Sequence, residues 1–166
     1  MREVLFRGKD VDNNKWVYGS YFAHQKVSLC IITRDDEVEN NTQHLIVQDK
    51  VACDWNFENG IQVVDVKPET VGQYTGFKDK NGKTIFEGDI VKILYTDWAS
   101  KSDNDTRTLE EYLDSLTKVG VVCWDNLLLC YHLKMKNECF SSIHCGKYGY
   151  IEVIGNIYDN PELLEN

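Results

Sequence analysis

The chain has 166 residues, of which 42% are hydrophobic, 27% charged and 11% aromatic, with two prolines and eleven glycines. That length suits one domain or two lobes, buries roughly two-thirds of its surface without a stapling device, and excludes collagen-like and low-complexity classes. The formal net charge of −9 gives no general attraction for phosphate backbones, so nucleic-acid binding would need a local basic patch.

The densest basic group, Lys78, Lys80 and Lys83, is interrupted by Asp79. The N-terminus, MREVLFRGKD, lacks the apolar core of a signal peptide. No run approaches the ~20 apolar residues of a membrane span. These features predict a cytoplasmic protein whose six cysteines stay reduced.

Val4 to Arg7 and Lys15 to Tyr18 read as strands on either side of the polar turn Asp10-Val11-Asp12-Asn13-Asn14. Val27 to Thr33 is a stronger strand, followed by an acidic loop from Arg34 to Glu39. His44 to Val47 and Ile61 to Val66 read as further strands, and the segment holding Trp55 and Phe57 as a turn or short helix. Gln73 to Phe77 and Thr84 to Phe86 flank Asn81-Gly82, a strong hairpin signal because both residues tolerate positive φ. Glu87-Gly88-Asp89 is a tight turn into Ile90 to Tyr95, apolar on both faces and so expected to be a central strand.

Residues Asp97 to Lys118 break the β rhythm. From Asp97 to Asp114 there are six acidic and two basic residues, a local net of −4. Thr108-Leu109-Glu110-Glu111 fits a capping box, and Leu109, Tyr112, Leu113 and Leu116 recur at helical spacing. A helix this short needs a cover, which makes those four residues the candidate binding residues. The β pattern resumes with Gly120 to Trp124 and Leu127 to Leu133, a hairpin around Asp125-Asn126, and with Ile151 to Tyr158. Asn160-Pro161 then reads as an N-cap and first helical position.

An offset of 69 residues superimposes Lys9-Asp10 on Lys78-Asp79, Trp16-Val17 on Ile85-Phe86 and Gly19-Ser20 on Gly88-Asp89. Shared hairpin grammar accounts for this echo; a duplicated unit is the alternative.

No chemical signature stands out. Cys123, Cys130, His132, Cys139, His144 and Cys145 cluster late, but no Cys-x2-4-Cys zinc knuckle is present, and adjacent His144 and Cys145 point apart on a strand. Asp10 to Asn14 opens like a calcium loop, yet Lys15 stands where the loop needs glycine and Tyr21 where it needs glutamate. Asp79, Glu87 and Asp89 are carboxylates for which a turn role suffices. Catalytic residues, metal and cofactor are therefore all expected to be none.

The run Tyr74-Thr75-Gly76-Phe77-Lys78-Asp79-Lys80-Asn81-Gly82-Lys83, then Ile85-Phe86-Glu87-Gly88-Asp89-Ile90-Val91, resembles the central signature of the YopX family of bacteriophage and prophage proteins. Phe6-Arg7-Gly8-Lys9-Asp10 with Trp16-Val17-Tyr18-Gly19 resembles that family's start, and Val153 to Leu164 its close. The resemblance implies a mostly β fold with a barrel-like C-terminal part, in a phage-encoded protein of the bacterial cytoplasm. It supplies no catalytic residues.

The expected architecture is mostly β, with an irregular N-terminal lobe at 1–85 and a C-terminal SH3-like barrel lobe at 86–166 carrying the acidic helical insertion 97–118. The expected function is a non-enzymatic phage or prophage binding or adaptor module with a host or phage protein as partner, homo-oligomerisation being a further option. The alternatives are an acidic nucleic-acid-mimicking inhibitor of a host protein and a nucleic-acid accessory protein using a local patch.

Overall fold

A computed structural model describes residues 4–25, 42–50, 60–95, 106–135, 139–142 and 148–164. The expected strand 27–33, the acidic run 34–39, Trp55, Phe57, the first part of the insertion, His144 and Cys145 lie outside the described residues. The chain divides into two compact units, Met1–Tyr74 and Thr75–Asn166.

The first unit is an antiparallel sheet of β1 (Phe6–Lys9), β2 (Trp16–Gln25), β3 (Thr42–Lys50), β4 (Gly60–Asp65) and the start of β5 (Gly72–Lys78), in the order β4-β3-β2-β1-β5. Ile46, Val64 and Val66 are its buried apolar side chains, with Tyr74. Alternation in β4 explains the pattern, since Val64 is buried while Ile61 and Val63 are exposed. Register is secured by close approach. A Cβ on Gly19 would lie 2.0 Å from the Val47 carbonyl oxygen across the β2–β3 pair. Tyr21 and His44 share a 2.5 Å hydrogen bond across the same pair, and burial pushes the Tyr21 hydroxyl pKa up. Arg7 and Lys9 are buried with their charged ends over the Trp16 ring, at 4.7 and 5.4 Å.

The polar turn between β1 and β2 is a hairpin. Asp10 accepts from the Asp12 amide at 2.8 Å and from Asn13 Nδ2 at 2.6 Å, and Asn14 takes the left-handed position at φ 59. Its carboxylate oxygens are thus engaged in the turn.

The second unit contains the rest of β5 with β6 (Thr84–Phe86), and a five-stranded antiparallel sheet of β7 (Asp89–Tyr95), β8 (Thr117–Asp125), β9 (Cys130–Lys134), β10 (Cys139–Ser142) and β11 (Tyr148–Asn156). The order is β10-β9-β8-β7-β11. Ile85, Val91, Ile93, Val122, Tyr131, Leu133 and Val153 form the core. As expected, β7 is internal, with Ile90, Val91 and Ile93 all fully buried.

Two expectations change. Among the described residues no ladder joins β10 to β11, so the sheet is open and no closed barrel forms; β10 is short and slips register against β9. The lobe boundary expected after Ile85 falls at Tyr74, because Ile85 belongs to the second unit's core.

The central signature is where this unit is tied together. Asp79 is buried, and its Oδ1 accepts from the amides of Asn81 and Lys83, each at 2.8 Å. Its Oδ2 accepts from the amide of Val153 in β11 at 3.1 Å. The next residue repeats the link, the Lys80 amide donating to the Ile151 carbonyl at 2.9 Å and its ammonium pairing with Glu152 at 2.8 Å. The turn closes with Gly82 N–H to the Asp79 carbonyl and Gly82 at φ 82. Only the glycine of the Asn-Gly pair is left-handed, so this is a type I turn with a glycine bulge rather than the two-residue mirror-image turn.

Glu87-Gly88-Asp89 works the same way. Asp89, 1% exposed, accepts from the Phe86 amide at 2.8 Å. Gly88, at φ 81, donates to the Val122 carbonyl and accepts from the Ile157 amide. The echo at offset 69 covers the two aspartate-led hairpins and then ends: Gly19 continues inside β2, whereas Gly88 turns the chain.

A Cβ on Gly82 would meet nothing within 4 Å, so Gly82→Val is expected to cost only the backbone term of about 1–2 kcal/mol. Gly19→Ala has ordinary backbone angles but a carbonyl in the way, and should melt lower than Gly82→Val. Thermal unfolding followed by circular dichroism ranks the two; a Gly19→Ala variant that melts like the parent would refute the β2–β3 approach.

Burial alone would raise the Asp79 pKa, but the amides of Val153, Lys83 and Asn81 together with the Lys83 charge outweigh it and hold the carboxyl below its ordinary 3.8. A depressed folded pKa means the stabilisation is present above the unfolded value and is lost as pH falls through the folded one. Asp79→Ala is therefore expected to cost about 3 kcal/mol at neutral pH through unpaired amides. The gap between Asp79→Asn and the parent should shrink as pH drops below 4. Urea titrations across pH check both, and a gap independent of pH would show that the carboxylate is not ionised in the fold.

Candidate interaction surface

The insertion helix forms where its capping box places it. Helix α1 spans Leu109–Leu116, the Glu111 amide donates to Thr108 Oγ1 at 3.2 Å, and the Thr108 amide donates to Glu111 Oε2 at 2.7 Å. It lies against β7 and β8 but buries none of its residues. Leu109 is 67% exposed and Leu113 40%, while Tyr112 and Leu116 are half-buried. Glu110, Glu111 and Asp114 are exposed beside them. The four candidate residues thus share one short helix, and two of them present apolar surface to solvent.

The second surface is one that hairpin grammar concealed. Leu127 to Leu133 was expected as one strand, but β9 begins at Cys130. Asp125 Oδ1 accepts from the amides of Leu127 at 2.7 Å and Leu128 at 3.0 Å, so the turn widens to include all three leucines. Those amides of Leu128 and Leu127 hold the Asp125 carboxyl below the usual range. Leu127 is 93% exposed, Leu128 and Leu129 are also exposed, and Leu129 sits at φ 52. A bulky residue in that region is a conformational outlier. Trp124, partly exposed, packs edge-on against Tyr131 behind the tip. Three consecutive leucines directly after an Asp-Asn pair were the available signal for this exposed tip.

At the base of the same hairpin lies an apolar cleft of ≈ 420 Å³, lined by Val119, Val121 and Cys123 of β8 with Met135 and Leu163, and by Lys134. The short 3-10 helix Pro161–Leu164 supplies Leu163 and stands where a C-terminal helix was expected. It packs so closely that a Cβ on Gly155 would lie 2.9 Å from Leu163 Cδ1.

The late cysteines and histidines are brought together only in part. Register pairs Cys123 with His132 and Asp125 with Cys130, and His132 Nδ1 lies 4.0 Å from Asp125 Oδ2. Cys123 and Cys130 form no disulfide. Among the described residues no three His, Cys, Asp or Glu side chains are placed to hold a metal ion. In the first unit Phe22, Ile61 and Val63 are exposed apolar residues of β2 and β4. Among the described residues no helix is long and apolar enough to cross a membrane.

No curated protein matches the chain. Among solved structures, a chain described as the crystal structure of protein EF1440 from Enterococcus faecalis is similar at 20% identity over 99% of each chain, with a TM-score of 0.48. The YopX protein family matches residues 5–165, a span that takes in the opening hairpin, the aspartate-led signature and the Gly155–Leu163 close. The chain therefore belongs to the YopX protein family.

Proposed function

We propose that this protein is a non-enzymatic binding or adaptor module, phage- or prophage-encoded and acting in the bacterial cytoplasm, with α1 as its partner-facing element. The observation that carries this reading is the exposure of Leu109 and Leu113 on a capped helix that buries no residue. The signature carboxylates Asp79 and Asp89 bind main-chain amides within their own unit, which supports a structural role for them. The strand order of the second unit, a meander whose last strand returns beside its first, supports an opened SH3-like topology. Folds of this size host many unrelated functions, and the exposed surface rather than the topology distinguishes this one.

The chemistry of α1 defines the partner. Exposed leucines beside Glu110, Glu111 and Asp114 suit an apolar groove bordered by basic side chains on a host or phage protein. The same acidity supports the second reading, imitation of a nucleic acid toward a host protein.

Affinity capture from bacterial lysate with mass spectrometry tests the proposal. The parent is expected to retain a partner that Leu109→Ser/Leu113→Ser loses, with unchanged circular dichroism. Equal capture by both proteins refutes α1 as the contact. Displacement of the partner from the parent by added duplex DNA would favour the mimic.

A further inference from the structure

We propose that the β8–β9 hairpin is a self-association device, in which the Leu127–Leu129 tip of one copy occupies the apolar cleft at the base of the same hairpin in a second copy. This contact is separate from α1 and needs no heterologous partner.

Three observations carry it. The tip is held ready for contact, because Asp125 fixes the Leu127 and Leu128 amides and so presents the leucines on an ordered turn. Ordering before contact lowers the entropic cost of association. Leu129 keeps a backbone conformation unfavourable to its side chain, φ 52, while that side chain remains 72% exposed. A strained position whose side chain stands in solvent is the pattern of a surface shaped for contact.

The cleft suits this occupant in size, lining and charge. At ≈ 420 Å³ it falls within the ~300–1,000 Å³ of binding pockets. Its lining by Val119, Val121, Met135 and Leu163 matches leucine side chains, and Lys134 meets the single carboxylate of the tip, Asp125. A lipid surface fits less well, since a chain of net charge −9 is not attracted to anionic headgroups.

Symmetry selects a second copy over an unrelated protein. Tip and cleft lie on one hairpin, and Val121 to Asp125 spans roughly 13 Å of strand at ~3.3 Å per residue. Two such hairpins packed face to face and antiparallel, through the face of β8 that carries Val119, Val121 and Cys123, bring each tip to the other's base. The contact is then isologous, made twice, and closes as a dimer rather than growing into a filament.

The test is sedimentation equilibrium of the full-length protein over a wide concentration range. The parent is expected to dimerise, and Leu127→Ser/Leu128→Ser to dimerise about tenfold more weakly or not at all, with the melting temperature of the parent at dilutions where the parent is monomeric. Lys134→Asp, which sets like charges together, should weaken the dimer without touching the tip. In a mixture of isotopically light and heavy Leu128→Cys protein, mild oxidation should link the introduced thiol to Cys123 of the other copy. A parent that stays monomeric throughout, or a dimer that both sets of variants leave unchanged, overturns the proposal. So does a monomeric parent that floats with phosphatidylcholine vesicles through the same leucines, which would assign the tip to lipid.

Discussion

The second unit depends on the burial of one carboxylate. Placing an ionised aspartate away from water costs several kcal/mol unless donors replace its hydration. Asp79 receives them from Asn81 and Lys83 within its own turn and from Val153 in β11. Two of these donors shape the turn locally. The third ties the turn to the edge strand of the sheet, so the cost of burial is offset only when β5, β6 and β11 are all in place. Such an interaction contributes cooperativity as well as stability.

The glycines act around this tie. Gly82 and Gly88 occupy left-handed positions that other residues reach only with strain, and each sits beside an aspartate that caps main-chain amides. Gly19 serves a different need, since its backbone is ordinary and the Val47 carbonyl occupies the place of a side chain. The first unit repeats the aspartate-led hairpin with Asp10 and Asn14, but its aspartate is not buried and bonds only within its own loop. The echo extends to the main chain, the Val11 amide donating to the Asp65 carbonyl as the Lys80 amide does to that of Ile151, whereas the long-range carboxylate bond is the one Asp79 makes to Val153.

With the signature engaged in architecture, the chemistry available to partners is apolar surface in an acidic protein. Among the described residues of the second unit that surface has two sources of different origin. Helix α1 is amphipathic and shallowly docked, so its leucines remain half in solvent. The β8–β9 tip is exposed because Asp125 stops the strand early and turns three leucines outward. We propose the first as the contact for a partner with basic borders and the second for the cleft at its own hairpin's base.

Local chemistry settled much of this fold before any tertiary contact was known. Asn-Gly and Glu-Gly-Asp marked turns, the capping box marked the start of α1 at Thr108, strand propensity marked β4 and β5, and a run apolar on both faces marked β7, because each depends on residues within a few positions of one another. The family was equally legible, through motifs at the start, centre and close of the chain. Tertiary structure decided what depends on distant partners. Nothing in Asp79 itself indicates that its third donor is Val153, and nothing in Thr84-Ile85-Phe86 indicates that Ile85 lies in the core of the second unit. The openness of the sheet depends on whether β10 and β11 meet, and strand propensity carries no information about that. The three leucines after Asn126 have strong strand character. The Asp125 carboxylate competes for their amides and wins, so an apolar run expected to open a strand instead stands in solvent as the most exposed apolar segment among the described residues.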